Sequence, residues 1–189
     1  MRKNLDKELA VFPMPVLMVA AYNDDGSVNV MNAAWGQICS MQKIALFIDE
    51  DHKTTQDILK RRAFTVSLAD VDHLAEADFF GIATGNKMPD KFERSGLTAV
   101  KSDRVDAPVI NEFPVCMECE LDEIIDHGDV YAVIGRIVGT NVDERVLDEK
   151  GIDPEKIGAV MFDQFRSGYY ALGERVGRAW NAGKDLMKK

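Results

Sequence analysis

Two long apolar-rich segments, Val115 to Ile125 and Val130 to Val142, are separated only by Asp126-His127-Gly128-Asp129, and this pair constrains the chain more than any other feature. A link that short returns the chain antiparallel, because a parallel crossover needs a dozen residues or more. Along the second segment Val130, Ala132 and Ile134 alternate with Tyr131, Val133 and Gly135, which is the period of a strand. A second hairpin comes earlier: residues 15–22 read as a buried strand that turns through Asn23-Asp24-Asp25-Gly26 into Val28–Ala33. Lys43 to Ile48, Phe64 to Leu68 and Ile157 to Phe162 add further strands, and Arg166 to Tyr170 forms an aromatic corner. The expectation is a mainly β (α+β) fold, a small antiparallel barrel with short flanking helices. A parallel nucleotide-binding sheet is not expected, since the chain holds no GxGxxG or Walker motif.

Three helices are predicted. Ile58, Leu59 and Ala63 mark the inner face of one that begins near Thr54 or Thr55, either of which could act as N-cap. His73, Ala77 and Phe80 share a face of the second, which starts at about Asp72. Leu172, Val176, Ala179, Trp180, Gly183 and Met187 trace one stripe of a C-terminal helix over about 171–187. Gly173, Gly177 and Gly183 weaken that helix by about 1 kcal/mol each relative to Ala, so it forms by docking, and a subunit boundary is a candidate surface. Ahead of the first strand, Leu5, Leu9 and Phe12 form a short amphipathic lead-in.

At 189 residues and 46% hydrophobic, the chain is expected to be one domain over 1–189, with its barrel at about 13–165. Lys and Arg number 23 against 32 Asp and Glu, a net charge of −9, and no basic block is interleaved with aromatics. Nucleic acid and membrane surfaces are therefore poor partners. The longest apolar run, Val11 to Tyr22, is broken by Pro13 and Pro15 and falls short of the roughly 20 residues of a spanning helix. Asp6 and Glu8 charge the region after Arg2 and Lys3, so the start reads as mature protein in the cytoplasm. Three cysteines are too few for a disulfide framework. Cys116 and Cys119 lie three apart on a strand and face opposite ways, which makes them buried structural thiols and leaves no metal site.

The strand ending at Ala33 is followed by residues that stop alternating. Asn32, Ala33 and Ala34 expose backbone with little side-chain cover beside Trp35, which suits either the edge of a planar heterocycle or a tight packing contact. His52, Lys53, Thr54 and Thr55 bring a cation and hydroxyls to a helix start, either as an anion seat or as plain capping. The loop Gly81 to Gly96 holds Lys87, Lys91 and Arg94 and could close over an anion or lie as a solvated turn.

The order of these motifs is NVMNAAWGQICS, HKTTQDIL, FTVSLA, GIATGNKMPDKFERSGLT and FPVCMECELDEIIDHGDVYAVIGRIV. From about Pro13 to Val142 it resembles the flavin reductase-like family, the flavoredoxin branch in particular, and the tail YYALGERVGRAW resembles that branch too. The resemblance implies an FMN-binding split β-barrel, a homodimer, and non-covalent FMN in a cleft near the subunit interface. It implies further that Met31, Asn32, Ala33, Ala34 and Trp35 line the flavin ring and that Cys39 and Ser40 close it. His52, Lys53, Thr54 and Thr55 would then meet the phosphate, and Lys91 would approach the cofactor. The implied activity is NAD(P)H:flavin oxidoreduction, with electrons passing from NAD(P)H through FMN to free flavin or a downstream acceptor such as a redox protein or monooxygenase. Alternatives are a flavoredoxin-like carrier reduced by a protein donor, or an FMN-binding module without turnover. No residue is assigned as general acid or base. Many members carry His directly after the Gly-Asp of the late hairpin, where this chain has Val130, and His127 does not substitute, since a one-residue slip reverses the face.

Overall fold

The computed structural model describes residues 1–6, 9–128 and 130–188, so the readings that involve Glu8 and Asp129 lie outside the described residues. In chain order the elements are β1 (Met14–Pro15), β2 (Leu17–Tyr22), β3 (Val28–Ala33), β4 (Gly36–Ser40), β5 (Lys43–Ile48), α1 (Lys53–Arg61) and β6 (Ala63–Leu68). There follow α2 (Leu74–Ile82), α3 (Lys91–Ser95), β7 (Ala99–Lys101), β8 (Pro108–Ile110), β9 (Val115–Asp126) and β10 (Tyr131–Val142). The chain closes with β11 (Leu147–Asp148), β12 (Gly151–Ile152), α4 (Pro154–Ile157), β13 (Val160–Asp163) and β14 (Gly168–Ala171).

Seven strands form one sheet in the order β3-β2-β6-β9-β10-β5-β4, with every pairing antiparallel. Its two edges, β3 and β4, are consecutive in the chain and joined only by Ala34 and Trp35, with no ladder between them. The sheet is thus a barrel split along one seam, and every other strand is held by neighbours on both sides. A smaller sheet, β1-β13-β14, ties the start of the barrel to the end of the domain.

β2 lies between two cores, which is why its sequence LMVAAY does not alternate with polar residues. Leu17, Val19 and Ala21 enter a cluster with Leu46, Phe64, Val66, Cys119 and Val133. Val16, Met18 and Ala20 enter a second one with Val30, Phe80, Phe92 and Ile110. Each fully buried large side chain here is worth roughly 1.5–3 kcal/mol. Gly135 on β10 permits the first cluster its close packing, because a Cβ there would lie 2.4 Å from Phe64 Cζ. Cys116 and Cys119 are buried and unpaired, as expected, and burial pushes their thiols up to about 11 and about 12.

β3 and β5 fall at the expected residues, and β9 and β10 within one or two of them. Other boundaries differ for physical reasons. α1 starts at Lys53 with His52 as N-cap, because the Thr54 and Thr55 hydroxyls are engaged elsewhere. Leu59 is 39% exposed and Ala63 belongs to β6, so the inner face of α1 is Thr54, Thr55, Asp57 and Ile58. The strand expected over Ile157–Phe162 begins only at Val160, because Ile157 ends α4, where Asp153 accepts from Glu155 N at 3.0 Å and Pro154 pre-sets the first turn. The C-terminal helix expected over 171–187 is absent: Ala171 ends β14 and only a 3₁₀ turn forms, at Lys184–Lys188. Leu172, Val176, Trp180, Leu186 and Met187 are exposed, so no burial offsets the helix cost of the three glycines. Among the described residues no helix is long and apolar enough to cross a membrane, and no group of three metal-ligating side chains occurs.

Candidate functional site

The end of β3, the seam residues, the end of β5, the start of α1 and the end of α2 converge on two adjoining cavities. One, of about 260 Å³, is lined by residues 31–35, 47–49, His52 and Val130. The other, of about 110 Å³, is lined by Met31, Asn32, residues 52–54, residues 80–85 and Lys91. Met31, Asn32 and His52 belong to both. Together the cavities reach the lower end of the roughly 300–1,000 Å³ typical of ligand pockets.

The larger cavity has the chemistry of a slot for a planar ring. Trp35, 47% exposed, and Phe47 supply aromatic surface, while Ala33 and Ala34 leave backbone uncovered. Asn32 is fastened into the wall, its Nδ2 donating to the Ala77 carbonyl at 2.9 Å, which ties β3 to α2.

The smaller cavity has the chemistry of an anion seat. No side chain caps α1, so the positive end of its dipole faces this space. Among the described residues, His52 Nδ1 is the one buried side-chain nitrogen or oxygen left without a hydrogen-bond partner. Its Nε2 lies 3.7 Å from Asp49 Oδ2. Lys91, at the first position of α3 and only 2% exposed, donates from Nζ to the Ala83 carbonyl at 3.0 Å and stands 6.0 Å from the Phe80 ring centre. Desolvation pushes its pKa down to about 8, partly opposed by the charge of Asp57. A ligand anion there would restore the ammonium's ordinary preference for its charge.

Lys53 lines the same cavity but is not free. Its Nζ is ion-paired with Asp57 Oδ1, and Asp57 Oδ2 accepts from Asn29 Nδ2 at 3.1 Å. The same Asn29 Nδ2 donates to Thr54 Oγ1 at 2.9 Å, which leaves the Thr54 hydroxyl proton available to a ligand. Gly85 lies directly over this network: a Cβ would come 2.8 Å from Asn29 Oδ1 and 3.1 Å from Lys53 Cγ, so the loop approaches that closely only as glycine. An uncapped helix start, an orphaned imidazole nitrogen, a free hydroxyl proton and a desolvated lysine make a donor set that fits a phosphate. Beside it lies a flat, aromatic-walled slot.

The structure brings together all the predicted site residues except Cys39, Ser40 and Thr55. Cys39 and Ser40 are exposed on the edge strand β4, past the seam residues, and line neither cavity. Thr55 is fully buried and donates to the Asp49 carbonyl at 2.7 Å, holding the loop before α1 instead of a ligand. Of the loop cations only Lys91 reaches the cavity; Lys87 is exposed and Arg94 pairs with Asp90 at 2.8 Å. Phe47 and Phe80 were not singled out, whereas Gly81 to Gly85 belong to the loop named as able to close over an anion and do line the smaller cavity. Val130 lines the ring cavity where many members of the resembled family have His, and His127 meets Phe47 at a tilt, with ring centres 6.3 Å apart, and lines neither cavity. A third hollow, of about 380 Å³, adjoins the ring cavity through Asp49 and Val130 and is strongly acidic, lined by Asp49, Glu50, Asp51 and Asp126.

The flavin reductase like domain model matches residues 9–169. The flavoredoxin of Desulfovibrio vulgaris (Miyazaki F) superposes with a TM-score of 0.91 at 36% identity, covering 97% of this chain and 100% of that one. Flavoredoxin from Methanosarcina acetivorans gives a TM-score of 0.88 at 22% identity over 98% of this chain and 100% of its own. An FMN-binding protein from Thermus thermophilus shares the fold, with a TM-score of 0.77 at 19% identity over 94% and 97% of the two chains. The split barrel, the paired cavities at its seam and a family match spanning most of the sequence lead to one conclusion: the chain belongs to the flavin reductase-like family.

Proposed function

We propose that this protein is an FMN-dependent oxidoreductase that takes electrons from a donor and passes them to free flavin or a downstream acceptor. The observation that carries this is the junction at His52 of a planar slot with a phosphate-type seat. The start of α1, His52 Nδ1, the Thr54 hydroxyl and Lys91 would hold the phosphate, and Ala33, Ala34, Trp35 and Phe47 would flank the ring. When bound, FMN supplies a carrier that accepts two electrons and gives them up again. The protein's part is to bind and orient that group and to tune it through backbone contacts at 32–35. No side chain in the cavities is assigned as acid or base.

For the donor, NAD(P)H is the reading that follows from the family's reductases. A second reading, a flavoredoxin-like carrier reduced by another protein, is favoured by the acidic hollow beside the ring cavity. A dinucleotide brings its own negative charges to Asp49, Glu50, Asp51 and Asp126, whereas a basic protein surface is attracted by them. Loading with FMN followed by stopped-flow mixing separates the two. Rapid bleaching by NADH or NADPH supports the reductase, and bleaching only by a small reduced redox protein of basic surface supports the carrier. If FMN binds but neither donor reduces it, the oxidoreductase proposal is wrong and a binding module remains.

A further inference from the structure

We propose that Tyr169 and Asp78 are positioning residues for the candidate site. They lock the Asn32 side-chain amide so that it offers a ligand only its oxygen, which accepts from a hydroxyl on the chain that links a flat ring to its phosphate. This rests on the FMN reading and adds to it the residues that recognise the linker.

Asn32 stands where the two cavities join, so a ligand with its ring in one and its anion in the other passes its linker across this residue. In FMN that linker is a chain of hydroxyl-bearing carbons. Met31, which also lines both cavities, carries only a weakly accepting thioether.

The amide is held from two sides. Asn32 Nδ2 donates to the Ala77 carbonyl at 2.9 Å, in the middle of α2. The next residue on that helix, Asp78, accepts at 2.8 Å from the Tyr169 hydroxyl. Tyr169 comes from β14, near the far end of the chain, where it sits opposite Phe162 of β13 with ring centres 5.8 Å apart. Burial and the Asp78 carboxylate push its phenol up to about 12, and a hydrogen bond with the Asn32 side chain opposes that rise. Opposition of that sign identifies Asn32 as the donor, since a donor favours the ionised oxygen. One Asn32 N–H therefore serves Ala77 and the other serves Tyr169, and the amide has no third.

What remains is Oδ1. Among the described residues nothing donates to it, and it is not a buried atom lacking a partner, so it is open to solvent. Gly81 shows how the amide is turned. A Cβ there would lie 3.4 Å from Asn32 Cβ, 3.7 Å from Nδ2 and 3.8 Å from Cγ, with Oδ1 farther off than all three. The nitrogen thus faces α2 and the oxygen is turned from it, a free acceptor on a residue that lines both cavities. Without the Tyr169 oxygen, Asn32 keeps only its bond to Ala77, the amide can swing about it, and a ligand must order it again.

The test titrates flavin-free protein with riboflavin and with lumiflavin. Both carry the ring and neither carries a phosphate, but only riboflavin has the hydroxylated chain. The unaltered protein should bind riboflavin more tightly. Tyr169→Phe should narrow that preference about two- to tenfold, the cost of ordering one side chain, and leave lumiflavin affinity unchanged. Asp78→Ala, which takes the acceptor from the Tyr169 hydroxyl, should narrow it in the same direction. In an Asn32→Ala background Tyr169→Phe should have no further effect on the preference. In isotope-labelled flavin-free protein, both Asn32 side-chain amide protons should exchange with water more slowly than those of exposed asparagines, and Tyr169→Phe should release one of them. A preference that Tyr169→Phe leaves unchanged, an equal narrowing in the Asn32→Ala background, or Asn32 protons that exchange freely in the unaltered protein would each overturn the proposal while flavin binding stands. An unaltered protein that binds neither of these flavins nor FMN would overturn the FMN reading and this proposal with it.

Discussion

Asp57→Asn isolates the least expected feature of the anion seat, the neutralisation of Lys53. The Asp57 side chain is fully buried, holds the Lys53 ammonium, and accepts from Asn29. Asparagine keeps the shape but removes the charge, so the pair with Lys53 is lost while the bond from Asn29 is retained. One hydrogen bond to a charged group is worth about 1.5–3 kcal/mol. For a domain of this size each 1 kcal/mol shifts the melting temperature by about 2–4 °C, so the flavin-free variant should melt about 3–12 °C lower. The freed lysine then has no acceptor except a ligand anion. If it gains one charge-assisted bond to the FMN phosphate, affinity rises by the same 1.5–3 kcal/mol, about tenfold to a hundredfold. Riboflavin, which lacks the phosphate, should bind unchanged. Differential scanning fluorimetry reads the first effect, and fluorescence titration with FMN and riboflavin reads the second. A folded variant whose FMN affinity is unchanged or weaker would refute the assignment of this cavity to the phosphate.

Lys91 gives a pH test whose sign is fixed by its depressed pKa. The unfolded chain holds a proton on this amine up to about 10.4, whereas the folded one releases it at about 8. Folding stability should therefore rise between about pH 8 and pH 10 by up to about 3 kcal/mol, and Lys91→Met should abolish that rise in denaturant titrations. The same deprotonation should weaken FMN binding above about pH 8 and leave riboflavin binding flat. Only Cys39 is exposed, so iodoacetamide should label one thiol of the native protein and all three after unfolding, as counted by mass spectrometry. Gly135→Ala should cost about 1–3 kcal/mol in urea unfolding, since Phe64 is fully buried and cannot yield to the new methyl group.

The fold was legible wherever strand alternation ended in a turn with its own chemistry. Val28–Ala33 and Lys43–Ile48 are such strands, and β9 with β10 is another case. β4 was not legible: Gln37, Ile38, Cys39 and Ser40 are all exposed, so no alternation marks an edge strand there. The C-terminal stripe has true helical spacing, but spacing forms a helix only against a surface, and the single chain offers none. In the site, the residues around the seam and the helix start could be read from composition. The pairing of Lys53 with Asp57 could not, because an i,i+4 pair reads as a solvated surface contact until the burial of Asp57 is known. Thr54 and Thr55 look alike in sequence, yet one hydroxyl faces Asn29 and the ligand space while the other closes a loop. The wall from Phe80 to Gly85 joins the site through tertiary packing of α2 on β3, which Asn32 fastens to Ala77.

The most direct measurement is a paired titration of the flavin-free protein with FMN and with riboflavin, followed by flavin fluorescence. FMN binding at micromolar concentration or tighter, with riboflavin at least tenfold weaker, is the predicted result, because under the proposed assignment both ligands would share the ring slot and only the phosphate would use the seat formed by α1, His52 and Lys91. Equal binding of the two would contradict the phosphate seat. Failure of both to bind would contradict the flavin function itself.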